Sequence, residues 1–184
     1  MNEFLYRLIS WGFQELIWGG DLLGAEELPE RGPAVFVSNH LGALGPIAVG
    51  ASLPFRLYSW LHADMLNPRL APDYLRRDFL EQQLHLPQPF SSWLAEIVSK
   101  VHIPLLSAIG CVPVYHTSDG LLETFRLSVD LLAQDECLLV FPEDPDLPMD
   151  IRYQMTSFKK GFARLGELYY ERTKQILSFY PLAV

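Results

Sequence analysis

Polar residues capable of acid–base chemistry follow two apolar runs of the sequence. Asn39 and His40 come directly after the run Ala34–Ser38, and Glu143 comes shortly after the run Cys137–Phe141. A histidine of near-neutral pKa can take a proton from a hydroxyl group at physiological pH, so His40 is a candidate general base. If the two runs are parallel strands of one sheet, both polar groups lie at the same edge. The pattern therefore predicts a reaction centre built on His40 with Glu143 close to it.

The sequence lacks the short motifs of several enzyme classes. It contains no phosphate-binding Walker loop, no dinucleotide-binding glycine fingerprint, no G-x-S-x-G nucleophile turn and no H-E-x-x-H zinc motif. The five histidines are scattered along the chain, so we predict no metal site.

The composition fits one globular domain and argues against a nucleic-acid-binding protein. The chain has 184 residues, of which 49% are hydrophobic and 20% charged, and its formal net charge is -8. Nucleic-acid binding depends on clustered positive charge, which an acidic chain does not supply. Cys111 and Cys137 have no metal-ligand spacing and no second pair, so we expect a reduced, cytosolic-side environment.

Two uncharged runs, residues 32–55 and 101–118, raise the question of membrane spans. Both contain histidine and proline. Unsatisfied backbone and polar groups are costly in hydrocarbon, so we interpret both runs as buried strands, turns and helices. The N-terminus has neither a basic region nor a small-residue cleavage site, so we also predict no signal peptide.

Short apolar runs alternate with helical periodicity, which predicts an α/β fold with a mixed, largely parallel sheet flanked by helices. In such sheets, binding sites form beyond the carboxyl ends of the strands, which here carry His40, His116 and the pair Glu143-Asp144. Residues 62–92 are predicted to be a surface excursion around one helix. The predicted strands are Asp21–Gly24, Ala34–Ser38, Arg56–Leu61, Cys111–Tyr115, Cys137–Phe141 and Ile176–Tyr180. The predicted helices are Phe4–Trp18, Leu44–Leu53, Pro72–Leu84, Phe90–Ala108 with an interruption near Pro104, Asp119–Ala133 and Phe158–Arg172.

Residues 1–18 are predicted to be an amphipathic helix ahead of a domain spanning residues 19–184. Apolar side chains recur at helical spacing from Phe4 to Trp18. One interpretation packs this helix on the domain, and the other lays it on a bilayer with Trp11 and Trp18 at the interface. Few basic residues accompany the apolar stripe, so the sequence leaves both interpretations open.

Four short segments occur in a characteristic order along the chain. They are Ser38-Asn39-His40, Gly110–His116, Phe141–Asp144 and Phe179–Pro181. In this order and spacing the chain resembles the glycerolipid acyltransferase family that includes the 1-acylglycerol-3-phosphate acyltransferases. The stretches 24–33 and 157–163 also look like that family, so the resemblance covers roughly residues 19–184. It further implies that the domain ends earlier than in other members of the family.

The resemblance implies a reaction and a role for individual residues. A fatty acyl group would pass from acyl-CoA or acyl carrier protein to a hydroxyl group of a lysolipid or related acceptor. The donor would be a substrate, and no bound cofactor is implied. His40 would be the general base. Substrate binding would fall to Asn39, Gly110, His116, Phe141, Pro142, Glu143, Lys159 and Lys160.

Three positions depart from the family's pattern. The family has an Asp five residues after the His, which fixes the tautomer and orientation of the ring, whereas this chain has Gly45. In serine proteases the corresponding loss costs on the order of ten-thousandfold in rate. His116 replaces a phosphate-binding Arg and Asp144 replaces a Gly, so the acceptor need not be a lysophosphatidate. Asp144 and Asp64 are the candidate replacement carboxylates.

Lys159 and Lys160 would lie at the start of a helix that begins near Ser157. A helix N-terminus with two lysines could hold a phosphate of an acyl donor such as coenzyme A. The alternative is a solvated helix face.

Three functions follow from these observations. The first is an acyltransferase bound peripherally to the cytoplasmic side of a membrane. The second is a catalytically inactive relative that binds lipid or acyl carrier without turnover, which Gly45 favours. The third is an interaction domain whose N-terminal helix docks on a protein partner.

Overall fold

The computed structural model describes residues 3–15, 20–40, 44–82, 84–115, 117–144, 147–153 and 155–184, and its five strands form one parallel sheet flanked by helices. The predicted α/β class and the helix-flanked sheet are confirmed, while the strands are all parallel where a mixed sheet was predicted. The strand order is β3-β2-β4-β1-β5. The strands are β1 (Ala34–Ser38), β2 (Leu57–His62), β3 (Cys111–Val114), β4 (Cys137–Val140) and β5 (Ser178–Leu182).

β1 lies between β4 and β5 and is buried along its whole length. Ala34 pairs with Cys137 and Ser178, and the parallel register continues in step to the other end of the strands. An uninterrupted apolar run is typical of a parallel strand that is covered on both faces. Because β1 and β4 run in register, the residues that follow each strand emerge at the same edge of the sheet.

One face of the sheet packs on α2 (Leu44–Ser52). Phe36 and Leu139 of the sheet form a buried cluster with Val49 and Leu53, which lie on and just after this helix. Phe36 also stacks on Tyr180 of β5, with the ring centroids 5.4 Å apart. Burying Phe36 and Leu139 contributes about 1.5–3 kcal/mol each, so β1, which leads to Asn39 and His40, is firmly anchored.

Gly32 fixes the amino end of β1 against the chain that leads into β4. A Cβ atom at residue 32 would collide with the backbone carbonyl of Asp135. Only glycine allows the two backbones to approach this closely without a shift. The approach brings the starts of the two central strands together, where Ala34 pairs with Cys137.

The other helices follow in order along the chain. None of the described helices is long and apolar enough to cross a bilayer. The helices are α1 (Glu3–Phe13), α2 as given above, α3 (Ala71–Tyr74), α4 (Phe90–Ile109), α5 (Ser118–Leu132) and α6 (Arg164–Thr173). Short 3-10 turns occupy Ala25–Glu27, Ala63–Leu66 and Lys160–Ala163, and a π-helix at Leu75–Glu81 continues α3.

Three element predictions are wrong. Residues 21–24 form no strand, because Gly24 adopts a left-handed φ of 75° and leads into a 3-10 turn. Helix α4 continues through Pro104 without the predicted interruption. The proline removes only one backbone N–H donor, so the helical turns before and after it stay in place. The last helix, α6, begins at Arg164 after a 3-10 turn that starts at Lys160, instead of at Phe158, because Phe158 is extended and bridged to Glu143.

The chain divides into two compact units, residues 61–124 and residues 2–60 with 125–184. In the unit 61–124, α4 contacts α3 and the π-helix. The Glu81 carboxylate fastens this contact, since it accepts hydrogen bonds from Arg76, Gln88 and Ser91.

In the other unit, the N-terminal helix α1 packs on α2. Tyr6 of α1 is buried, and its hydroxyl oxygen accepts a hydrogen bond from the Leu57 backbone N–H at 3.2 Å. Trp11 on the same helix is exposed. The helix therefore contacts the domain, and its exposed side leaves the bilayer interpretation open.

Candidate active site

The first predicted site segment lies at the carboxyl end of β1. Asn39 is buried, and its side-chain amide pairs with the backbone of Val184. Nδ2 donates to the Val184 carbonyl at 3.0 Å, and Oδ1 accepts from the Val184 N–H at 2.8 Å. These reciprocal bonds fix the residue before His40 and tie it to the chain that follows β5. A role for Asn39 in substrate binding stays a prediction.

The Glu143 side chain connects the turn after β1, at His40, to the segment that contains Thr156. Its Oε1 accepts a hydrogen bond from the His40 backbone N–H at 2.7 Å. Its Oε2 accepts from the backbone N–H and the hydroxyl of Thr156, each at 3.2 Å. Hydrogen bonds to a carboxylate are roughly twice as strong as those between neutral groups. Glu143 therefore positions the His40 backbone, and we call this arrangement of His40, Glu143 and Thr156 the carboxylate clasp.

The His40 ring lies at the exposed edge of the clasp. It meets the Phe141 ring edge-on, with the centroids 5.1 Å apart and an angle of 73°. Desolvation lowers the pKa of His40 below its ordinary value of 6.5, although the negative charge of Glu143 and a backbone hydrogen bond partly oppose this. Most of the imidazole is therefore uncharged at neutral pH, which is the form that a general base requires.

The orienting carboxylate of the family's pattern has no counterpart among the described residues. Gly45 is buried in the first turn of α2. Of the two candidate replacements, Asp144 forms an ion pair with Lys159 at 3.1 Å, and the Asp64 backbone N–H donates to the ring of His62 at 3.3 Å. Neither is bonded to the His40 ring, so no described carboxylate fixes its tautomer.

The segment that contains Lys159 and Lys160 runs antiparallel to residues 142–144. The Lys159 N–H donates to the Pro142 carbonyl at 2.7 Å, and the Asp144 N–H donates to the Ser157 carbonyl at 3.0 Å. Because this segment is extended, no helix begins near Ser157 as predicted; a 3-10 turn starts at Lys160 and α6 starts at Arg164. The Lys159 ammonium pairs with Asp144, whereas Lys160 is exposed. Phosphate binding by either lysine stays a prediction.

An open cavity of about 260 Å³ lies beside the clasp. Thr156 belongs to both, since it lines the cavity and donates to Glu143. Sequence reasoning missed Thr156, because no periodicity or motif connects it to a glutamate 13 positions earlier. The cavity is lined by Asp150, Tyr153, Met155, Thr156, Ser157 and Phe158.

The remaining predicted site residues fall in different places. Phe141 is partly buried against the His40 ring. Pro142, which precedes Glu143 in the sequence, is buried. Gly110 belongs to the unit 61–124, where it ends α4 with a φ of 91° that favours glycine. His116 lies outside the described residues. The structure thus brings together the first, third and fourth of the four sequence segments.

No protein-family model, curated protein or solved structure matches the chain. The resemblance to glycerolipid acyltransferases therefore remains an expectation from the four segments. Within the part of the chain that the structure describes, no group of three or more His, Cys, Asp or Glu side chains is arranged to hold a metal ion.

Proposed function

We propose that the chain is an acyltransferase that moves a fatty acyl group from acyl-CoA or acyl carrier protein to a hydroxyl group of a lysolipid or related acceptor. The observation that carries the proposal is the 2.7 Å hydrogen bond between the His40 backbone N–H and Glu143 Oε1. It joins two sequence segments that are 103 residues apart. The pairing of Val37 with Pro181 brings the fourth segment beside the end of β1, and Asn39 bonds to Val184, three residues further along the chain.

His40 acts as the base on the acceptor. Its imidazole takes the hydroxyl proton as the acceptor oxygen attacks the carbonyl carbon of the thioester. The new C–O bond forms, the C–S bond breaks, and the proton passes from the imidazole to the departing thiolate. The lowered pKa of His40 supports this role, because the base is uncharged before the acceptor binds.

The cavity beside the clasp suits an acceptor that has both apolar and polar parts. Tyr153, Met155 and Phe158 provide apolar walls, while Thr156 and Ser157 provide hydroxyl groups. Ligand sites are usually mostly apolar with a few placed polar groups, which fits this lining. The protein would act at the cytoplasmic side of a membrane, where such acceptors reside.

A second candidate function is a relative that binds lipid or acyl carrier without turnover. Two observations favour it: Gly45 stands in the position of the family's Asp, and no carboxylate among the described residues hydrogen-bonds the His40 ring. A ring without a fixed tautomer presents the wrong nitrogen to the substrate for part of the time.

Acyl transfer from several acyl-CoA donors to a panel of lysolipids and simple alcohols tests the first function. We expect turnover that His40→Ala lowers by about 10²–10⁴-fold, since a positioned base contributes that much. The matched control is His85→Asn in the unit 61–124. His85 is exposed and has a left-handed backbone conformation, which asparagine also adopts. Turnover that survives His40→Ala would remove His40 from the reaction.

Gly45→Asp separates the two functions if the wild-type chain is inactive. Under the second function the variant restores the orienting carboxylate and turnover begins. A variant that stays inactive while the wild-type chain binds acyl-CoA would count against a damaged catalytic site.

A further inference from the structure

The segment from residue 147 to residue 158 exposes several large apolar side chains. Leu147, Met149 and Tyr153 are exposed, and Ile151 is 85% exposed. Exposed apolar clusters of this kind, with polar residues around them, mark interaction surfaces. We call this segment, of which residues 147–153 and 155–158 are described, the 147–158 hairpin.

The hairpin is folded by its backbone, independently of the exposed side chains. Asp150 and Met155 form an antiparallel bridge, in which the Asp150 N–H donates to the Met155 carbonyl at 2.9 Å. Asp150 Oδ1 also accepts from the backbone N–H groups of Arg152 and Tyr153, at 2.8 and 3.2 Å. Ile151 therefore lies at the tip, and its side chain can be changed without removing these bonds.

Three exposed cations belong to this region: Arg152 lies at the apolar tip beside the exposed Asp150, and Lys160 and Arg164 follow the base of the hairpin. The Arg152 guanidinium lies over the Tyr153 ring, 5.4 Å from its centroid, and Lys160 and Arg164 are exposed just beyond the hairpin. Across the described residues, none of these three cations is within ion-pair distance of a carboxylate. These three cations are therefore available to the phosphate groups of an anionic surface, even though the net charge of the chain is -8.

We propose that the 147–158 hairpin docks on an anionic lipid bilayer. Ile151 and Met149 enter the boundary between headgroups and acyl chains, while Arg152, Lys160 and Arg164 contact lipid phosphates. The link between this docking and catalysis rests on the proposed function. Tyr153 and Met155 of the hairpin also line the cavity beside the clasp, where the acceptor is proposed to bind. A lipid acceptor would then enter the cavity directly from the membrane.

A bilayer fits this surface better than a second protein does. A stable protein interface involves about 20–30 residues on each partner. The large apolar side chains exposed on the described part of the hairpin are five, namely Leu147, Met149, Ile151, Tyr153 and Phe158. A bilayer requires only an apolar tip, an aromatic residue at the interface and nearby basic residues. Ile151, Tyr153 and Arg152 supply these three features within consecutive positions.

Flotation of the full chain with vesicles tests the proposal. One vesicle preparation is phosphatidylcholine alone, and in the other a third of the lipid is phosphatidylglycerol. We expect binding to the anionic vesicles, and Ile151→Asp lowers the partition coefficient at least about tenfold because an inserted isoleucine is lost and a charge is added. The matched control is Ile176→Asp, which changes an isoleucine that is 88% exposed, and it keeps the wild-type partition coefficient.

A second pair of variants tests the basic residues. Lys160→Gln and Arg164→Gln each lower binding to the anionic vesicles by about fivefold and leave binding to pure phosphatidylcholine unchanged. Arg69→Gln, which changes an exposed arginine of the unit 61–124, has no effect on either. Equal losses on both kinds of vesicle would contradict a role for these charges.

Several outcomes would overturn the proposal. The proposal is wrong if the wild-type protein floats with neither kind of vesicle. It is also wrong if Ile151→Asp and Ile176→Asp bind equally. Loss of binding in Trp11→Asp alone would assign the membrane contact to α1. A dimer in light scattering that Ile151→Asp disrupts would identify a second copy of the chain as the partner.

Failure of the docking proposal is distinguishable from failure of the proposed function. Acyl transfer by the wild-type chain to a water-soluble alcohol needs no membrane, so it is measured without vesicles. Turnover there with no flotation rejects the docking alone, and flotation with no turnover rejects the enzymatic function alone.

Discussion

Glu81 and Glu143 each connect separate parts of the chain through hydrogen bonds, and they differ in the groups that compensate their negative charge. Glu81 accepts hydrogen bonds from Arg76, Gln88 and Ser91, and the Arg76 guanidinium forms an ion pair with it at 3.1 Å. Glu143 accepts from two backbone N–H groups and one hydroxyl, with no paired cation in the part of the chain that is described.

This difference separates a structural carboxylate from one that can influence chemistry. The pKa of Glu81 is lowered, first by the hydrogen bond from Ser91 and then by those from Gln88 and Arg76, so its charge is used within the unit 61–124. The charge of Glu143 acts on His40, where it opposes the effect of desolvation on the pKa of the imidazole. Similar hydrogen bonding thus stabilises one region and tunes a candidate base in the other.

Among the variants of these two glutamates, the largest expected effect is that of Glu143→Ala on acyl transfer. Removing the carboxylate releases the His40 backbone and Thr156, and a small displacement of a catalytic group can cost on the order of a hundredfold in rate. We expect kcat to fall while KM changes less, because the loss concerns the position of the base. Glu171→Ala, which changes an exposed glutamate on α6, is the control. Equal rates in the two variants would contradict the positioning role of Glu143.

A smaller effect is expected for Glu81→Ala, which we predict to lower Tm by a few degrees and to leave the rate of acyl transfer unchanged. The folded-state pKa of Glu81 lies below its ordinary value of 4.5, so the stability it contributes is present above that value and is lost as the pH falls through the lowered pKa. Thermal unfolding at neutral and acidic pH checks this. A difference in Tm that persists in acid would show that the charge of Glu81 is not responsible.

The smallest effect is a shift of the pH–rate profile in Glu143→Gln. In the wild-type chain the acid limb of kcat/KM lies below pH 6.5, because desolvation lowers the pKa of His40. Glutamine removes the negative charge that raises this pKa, so the limb moves to lower pH. The profile of kcat/KM against pH measures the shift, and a limb that stays in place or moves to higher pH would reject the electrostatic link.

The sequence was sufficient to predict β1, β4 and the meeting of His40 with Glu143. Apolar runs identify buried parallel strands, and residues after such strands share an edge of the sheet. The direction of the Glu143 side chain was not predictable, because spacing gives the place of a residue and not the atom that it contacts. The carboxylate reaches the His40 backbone, whereas the resemblance directs attention to a carboxylate on the ring.

Other errors have the same origin in contacts between distant residues. Phe158 belongs to a stretch with helical periodicity, yet its bridge to Glu143 keeps it extended. Asp21–Gly24 has apolar residues typical of a strand, but the left-handed backbone of Gly24 ends any extended run. Thr156 entered the candidate site only through its hydrogen bonds to Glu143.

The close approach at Gly32 has a practical meaning for protein engineering. Every larger side chain there would collide with the carbonyl of Asp135, so residue 32 tolerates no substitution without a shift of the backbone. The opposite ends carry Asn39, His40 and Glu143, which the proposed function also requires to stay constant. A combinatorial library aimed at new acceptors should therefore randomise exposed residues that line the cavity, such as Tyr153 and Ser157, and keep residues 32, 39, 40 and 143 constant.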